Sequence, residues 1–203
     1  MKSRLSRVAC KGFTLIELMV TLAVAAILMV IAAPGFLSFQ RNSELTSAVN
    51  GLVASIAAAR GEAMKSGRYA MVVPSDATHW SSGWVVFVDR DADNGFTESA
   101  DSAVLRQPAL PSYFSVEANG NAKEGQTDPP YIRFDPSGYP KTKGGGFGPL
   151  TISITRNDLG TSAALDQTRR VIISPSGRVR SCRPSSATDA KCSPPPANPD
   201  ADD

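Results

Sequence analysis

One carboxylate stands where only hydrocarbon would be expected. Glu17 follows Phe13-Thr14-Leu15-Ile16, and from Leu18 to Gln40 the chain runs 23 residues without a charge. An acid at membrane depth costs on the order of 3 kcal/mol on insertion scales, and such residues usually mark function. Its useful chemistry there is to neutralise a cation in the same medium, although desolvation of both partners offsets much of the gain. The plainer alternative is a Glu17 that is protonated or reaches the headgroups.

A second concentration of chemistry lies near the C-terminus, in Ser176-Gly177-Arg178-Val179-Arg180-Ser181-Cys182-Arg183. On a strand, Arg178 and Arg180 face the same side. From Arg169 to Cys192 there are six basic residues and one acid, Asp189, so this stretch carries +5. Guanidinium forks suit phosphate oxygens. The alternative is a solvated turn, or arginines that contact acidic neighbours. Cys182 and Cys192 flank part of this stretch. An exported head would meet an oxidising compartment, so the pair reads as a disulfide. Half of a zinc site is the alternative, but it lacks two ligands, and the single histidine, His79, is far off in sequence.

Asp89-Arg90-Asp91-Ala92-Asp93-Asn94-Gly95 has oxygen donors at alternate positions, as the start of a calcium loop does. The match is poor, because glycine falls seventh rather than sixth and the twelfth place is Ala100. The expectation is a β-turn of Asn-Gly type and no metal site. His79, beside Trp80 and with Trp84 following, reads as a surface loop next to core aromatics. No nucleophile elbow, phosphate-binding glycine loop or Cys/His pair is present, so no catalytic residue, enzyme activity or cofactor is expected.

These residues need elements to hold them. The chain has 203 residues, enough for one domain and an anchor. Residues 1–12 carry Lys2, Arg4, Arg7 and Lys11 and no acid, a basic head that stays on the cytoplasmic side of an apolar segment. The apolar run is long enough to span about 30 Å of hydrocarbon as a helix. Leu45, Val49, Leu52, Val53, Ile56, Ala63 and Met64 then recur at helical spacing, which extends one helix from Phe13 to about Ser66 with a single apolar face. Gly67 is placed to cap it. Beyond Gly67 the pattern changes to short strands at Tyr69–Val73, Trp84–Val88, Val104–Arg106, Phe114–Glu117, Tyr131–Phe134, Leu150–Thr155 and Arg169–Ile173, with Val179 in a further one. The fold class is α+β: a long N-terminal helix, its apolar half transmembrane, packed on a globular antiparallel β head. The order of the head's strands is not readable. The expected organisation is a leader at 1–12, a membrane helix at 13–40, its amphipathic continuation at 41–66, the β-rich head at 67–192 and a Pro/Asp-rich tail at 193–203.

The order Gly12-Phe13-Thr14-Leu15-Ile16-Glu17 before an apolar helix resembles the prepilin signal of type IV pilins and type II secretion pseudopilins. The rest of the chain resembles the FimT/GspH-like family in Ala59-Arg60-Gly61-Glu62-Ala63, Gly83-Trp84-Val85-Val86-Phe87-Val88-Asp89, Ile132-Arg133-Phe134-Asp135-Pro136-Ser137-Gly138 and Ile172-Ile173-Ser174-Pro175-Ser176-Gly177-Arg178-Val179-Arg180. The resemblance implies cleavage between Gly12 and Phe13 by a prepilin peptidase and N-methylation of Phe13. It implies a single-pass protein in the inner membrane lipid, head in the periplasm, that joins other pilins or pseudopilins in a helical fibre. Glu17 would then pair with the Phe13 amine of a neighbouring subunit. A Gly-Arg-x-Arg motif at this place looks like the DNA-binding motif of FimT-type pilins in natural transformation, which assigns Gly177, Arg178, Arg180 and Arg183 to double-stranded DNA. The implied role is a minor type IV pilin; the alternative is a GspH-like minor pseudopilin of type II secretion. Without residues 1–12 the net charge falls from +2 to −2, so DNA affinity would have to come from that local patch.

Overall fold

The computed structural model describes residues 12–160, 165–186 and 189–192. Of the expected leader, residues 1–11 lie outside that set, as does the expected tail at 193–203. The chain divides into two compact units, Met1–Arg41 and Asn42–Asp203.

The first unit holds the beginning of helix α1, which spans Leu15–Ser66. Thr14 starts the helix. Its Oγ1 accepts the Glu17 amide at 3.3 Å. The Thr-x-x-Glu spacing is that of a capping box. Within this unit every large apolar side chain from Phe13 to Phe39 is exposed. The segment Leu15–Ala33 has a mean hydropathy of 2.7 and is long and apolar enough to cross a membrane.

In the second unit α1 carries one buried stripe of Leu45, Ala48, Val49, Leu52, Ile56, Ala59 and Ala63, the three- and four-residue spacing of an amphipathic helix. Met64 departs from the sequence expectation. It is 50% exposed and lies beside the Gly138 turn rather than inside the core. The helix stops where Gly67 turns to φ 66° and donates its N–H to Ala63 O at 3.1 Å, which glycine does at no Cβ cost.

Among the described residues the head has two four-stranded antiparallel sheets. In chain order the strands are β1 (Ala70–Pro74), β2 (Trp84–Val88), β3 (Ser102–Gln107), β4 (Phe114–Ala118), β5 (Ile132–Phe134), β6 (Leu150–Arg156), β7 (Thr168–Ile173) and β8 (Val179–Cys182). One sheet has the order β3-β2-β1-β5 and the other β4-β6-β7-β8. Every neighbouring pair is antiparallel. Val72, Trp84, Val86 and Val88 of the first sheet and Ile152, Ile154, Val171 and Ile173 of the second join the helix stripe in one core. Two buried indoles need acceptors. Trp84 Nε1–H donates to Ser55 Oγ at 2.8 Å, and Trp80 Nε1–H to Ala122 O at 2.8 Å. Ser55 therefore sits inside the apolar stripe because it completes a tryptophan.

Candidate functional sites

At the helix start, Gly12 is exposed and Phe13 is 81% exposed. Glu17 lies in the first helical turn. Its amide is taken by Thr14, but its carboxylate makes no ion pair or hydrogen bond among the described residues. Sequence reasoning missed the cap at Thr14, although the Thr14-to-Glu17 spacing carried it. An acid near a helix N-terminus also interacts favourably with the helix dipole. Glu17 thus has a local reason to be acidic.

The arginine stretch is an edge strand and the turn that feeds it. Pro175-Ser176-Gly177 leads into β8, the last strand of its sheet. The Gly177 N–H donates to Ser174 O at 2.8 Å, and Gly177 has φ 77°. A Cβ there would stand 2.4 Å from Gly138 O, so a second Pro-Ser-Gly turn, at residues 136–138, packs directly against the first. Arg60 of α1 reaches the same point and donates from NH1 to Gly177 O at 3.1 Å. Glycine is required at 177 both for its backbone conformation and for the approach.

Val179 packs against the core while Arg178 and Arg180 on either side are exposed. The Arg178 guanidinium has no partner among the described residues. Arg180 donates from NH1 to Lys191 O at 2.6 Å. Arg183 is paired with Asp166 at 2.9 Å. Cys182 and Cys192 are bonded, with Cα atoms 5.8 Å apart, and Arg170 donates from NH1 to Cys192 O at 3.1 Å. Asp189 organises the loop they close. It accepts the Ser185 amide and hydroxyl at 2.9 and 2.8 Å and the Lys191 amide at 2.9 Å. Those bonds, the Ser185 amide foremost, hold its carboxyl down at about 2. Burial, with Arg183 adding, pushes the Arg169 guanidinium down. The strand and its disulfide loop therefore gather Arg178, Arg180 and Lys191 as exposed cations, with Arg183 partly neutralised.

His79 is exposed, and both Trp80 and Trp84 are buried. Sequence reasoning gave no sign of the Arg156 guanidinium, which is buried and held by Asp158 at 2.9 and 2.7 Å. That bond raises its already high pKa. Arg133, also buried, stacks on Tyr69 with 3.7 Å to the ring centroid. Both are inward-facing structural cations, distinct from the exposed ones on β8.

An apolar helix with an acid in its first turn, continuing into a buried stripe under two antiparallel sheets, defines a pilin-like α+β class. The prokaryotic N-terminal methylation motif matches residues 7–33, and the type II transport protein GspH model matches residues 48–177. The chain belongs to the GspH family of type II transport proteins, whose model covers more than half of it. Its match ends at Gly177, so Arg178 and Arg180 lie just beyond it. Among solved structures, the type IV minor pilin FimU of Pseudomonas aeruginosa is 23% identical, with 70% of this chain and 90% of that one covered and a TM-score of 0.47. The minor pseudopilin EpsH of the Vibrio cholerae type 2 secretion system is 17% identical, with 70% and 99% covered and a TM-score of 0.49. No curated protein matches the chain.

Proposed function

We propose that this chain is a minor type IV pilin that is cut between Gly12 and Phe13, methylated on the new Phe13 amine and built into a fibre with other pilins. In this reading residues 13–40 form a single span of the inner membrane, residues 41–66 continue the helix, and residues 67–192 form a periplasmic head. Residues 1–12 are the leader that the prepilin peptidase removes, and residues 193–203 are a tail. The role is structural rather than catalytic. The observation that carries the reading is the methylation motif on an exposed apolar segment whose one acid, Glu17, has no side-chain partner among the described residues. A Phe13 amine and a Glu17 carboxylate on neighbouring subunits would neutralise each other where either alone is costly.

The head's contribution is affinity for double-stranded DNA through Gly177, Arg178, Arg180 and Arg183. What supports it is the exposure of Arg178 and Arg180 at the start of a short edge strand, where Arg60 holds the preceding turn and the disulfide holds the strand's end. Such binding would be electrostatic, salt-sensitive and indifferent to sequence. In a low-salt gel shift of the full chain in detergent, Arg178→Glu with Arg180→Glu is expected to abolish DNA retention. Unchanged retention removes the DNA contact. In cells, Glu17→Ala is expected to insert normally and to stay out of the fibre; normal co-assembly of that variant removes the charge-matching role.

A second reading is favoured by the family match itself, whose description is that of a type II transport protein. As a minor pseudopilin the chain would support export of folded proteins. Deletion of the protein separates the two: lost pili with intact export supports the first reading, and lost export with intact pili supports the second.

A further inference from the structure

The sequence presents Asp89, Asp91 and Asp93 as a linear run that fails as a calcium loop at its twelfth place. Strand pairing changes the ligand set. β2 ends at Val88 and β3 begins at Ser102, and these two residues are register partners. The residues just beyond them, Asp89 and Asp101, therefore face each other across the mouth of the hairpin. One carboxylate oxygen each from Asp89, Asp91 and Asp101 lies within 4.8 Å of the others. None of the three makes an ion pair with lysine or arginine among the described residues.

Three acids at one point are common on protein surfaces, and Asp91 is indeed exposed. Asp89 is the exception. It is only 4% exposed. Its Oδ1 accepts the Ala92 amide at 2.8 Å, but its Oδ2 is buried with no hydrogen-bond partner among the described residues. Burying a charged oxygen without a partner is costly. A cation at the cluster would supply the missing partner and relieve the repulsion together.

We propose that the mouth of the β2–β3 hairpin is a calcium site, with Asp89, Asp91 and Asp101 as its carboxylate ligands. The donor set is all oxygen, which suits a hard cation; zinc would draw on nitrogen or sulfur. Calcium accepts irregular shells of six to eight oxygens, whereas magnesium demands a near-ideal octahedron. Here Asp89 and Asp101 are already tied to backbone amides, so they cannot rearrange freely into an octahedron. Backbone carbonyls and water complete the shell. The bound ion fixes the 89–101 loop at both ends, and Asn94 of that loop already accepts Arg133 NH1 of β5 at 2.6 Å. The site is independent of the pilus reading, since it lies in neither the helix start nor β8.

The test uses the full chain in detergent, stripped with chelator and titrated with calcium chloride by calorimetry. The expected result is one site of micromolar Kd, magnesium at least tenfold weaker, and a midpoint of thermal unfolding raised by roughly 10 °C in millimolar calcium. Asp89→Asn should abolish binding. If that variant fails to fold, the exposed Asp91→Asn decides, with an expected weakening of at least tenfold. Absent heat and an unmoved midpoint up to millimolar calcium overturn the site. So does unchanged affinity in folded Asp91→Asn, and equal affinity for magnesium overturns the choice of calcium.

Discussion

Helix α1 is one element built for two surroundings. In the Met1–Arg41 unit its large apolar side chains are exposed on every side, while between Leu45 and Ala63 the apolar residues make one stripe that the head buries. The same backbone serves both because helix formation depends on local hydrogen bonds and not on what the side chains meet. What differs is the cost of a change. A side chain facing lipid has neighbours that flow to fill a gap, whereas a packed core does not.

Truncating a leucine should show this contrast most strongly. Leu52→Ala is expected to destabilise the head by about 2–5 kcal/mol, since the cavity adds to the lost burial. Leu28→Ala should leave the head's transition unmoved. Denaturant unfolding of the full chain in detergent, followed by the fluorescence of Trp80 and Trp84, measures both, and equal shifts would break the contrast. A smaller effect is expected of hydroxyl removal. Ser55→Ala leaves the Trp84 indole N–H buried without its acceptor, at a cost of about 1–3 kcal/mol. Thr21→Ala, by comparison, removes a hydroxyl that bonds to Leu18 O of its own helix, and should not move the head's transition. The smallest effect belongs to the exposed face of the upper helix. Lys65 pairs with Glu62 at 3.0 Å and is 77% exposed. Lys65→Met should cost at most about 0.5 kcal/mol, and a larger loss would mean that this face is covered.

Much of this architecture could be read before the structure. The helix was expected to end at about Ser66 and it does, because Gly67 ends the stripe with a left-handed turn. Trp84–Val88 stands as expected, since five consecutive β-formers bounded by Gly83 and Asp89 leave little choice. The other strands differ at their ends by one or two residues, and the expected Val179 strand extends to Cys182. Several of the misses share one cause, which is distance along the chain. Ser55 looks like a break in an apolar face until Trp84, 29 residues later, is seen to need it. The third acid beside Asp89 is invisible until β2 and β3 pair. The division into two sheets, with β5 joining β1 across the intervening strands, has no local signature. Met64 fits the helical spacing, yet the stripe narrows at Ala63 and leaves it outside.

The edge position of β8 has one more consequence. A terminal strand offers its unpaired amides and carbonyls to any extended chain, so soluble proteins guard such edges with charge, short length or cover. β8 is only four residues long. Arg180 lies within it, and the disulfide returns the chain alongside, where Lys191 O accepts an Arg180 N–H. Two copies meeting edge to edge would bring like charges together before any ladder could form. The cations at this edge therefore oppose edge-to-edge pairing of two heads, and neutralising them would cost solubility.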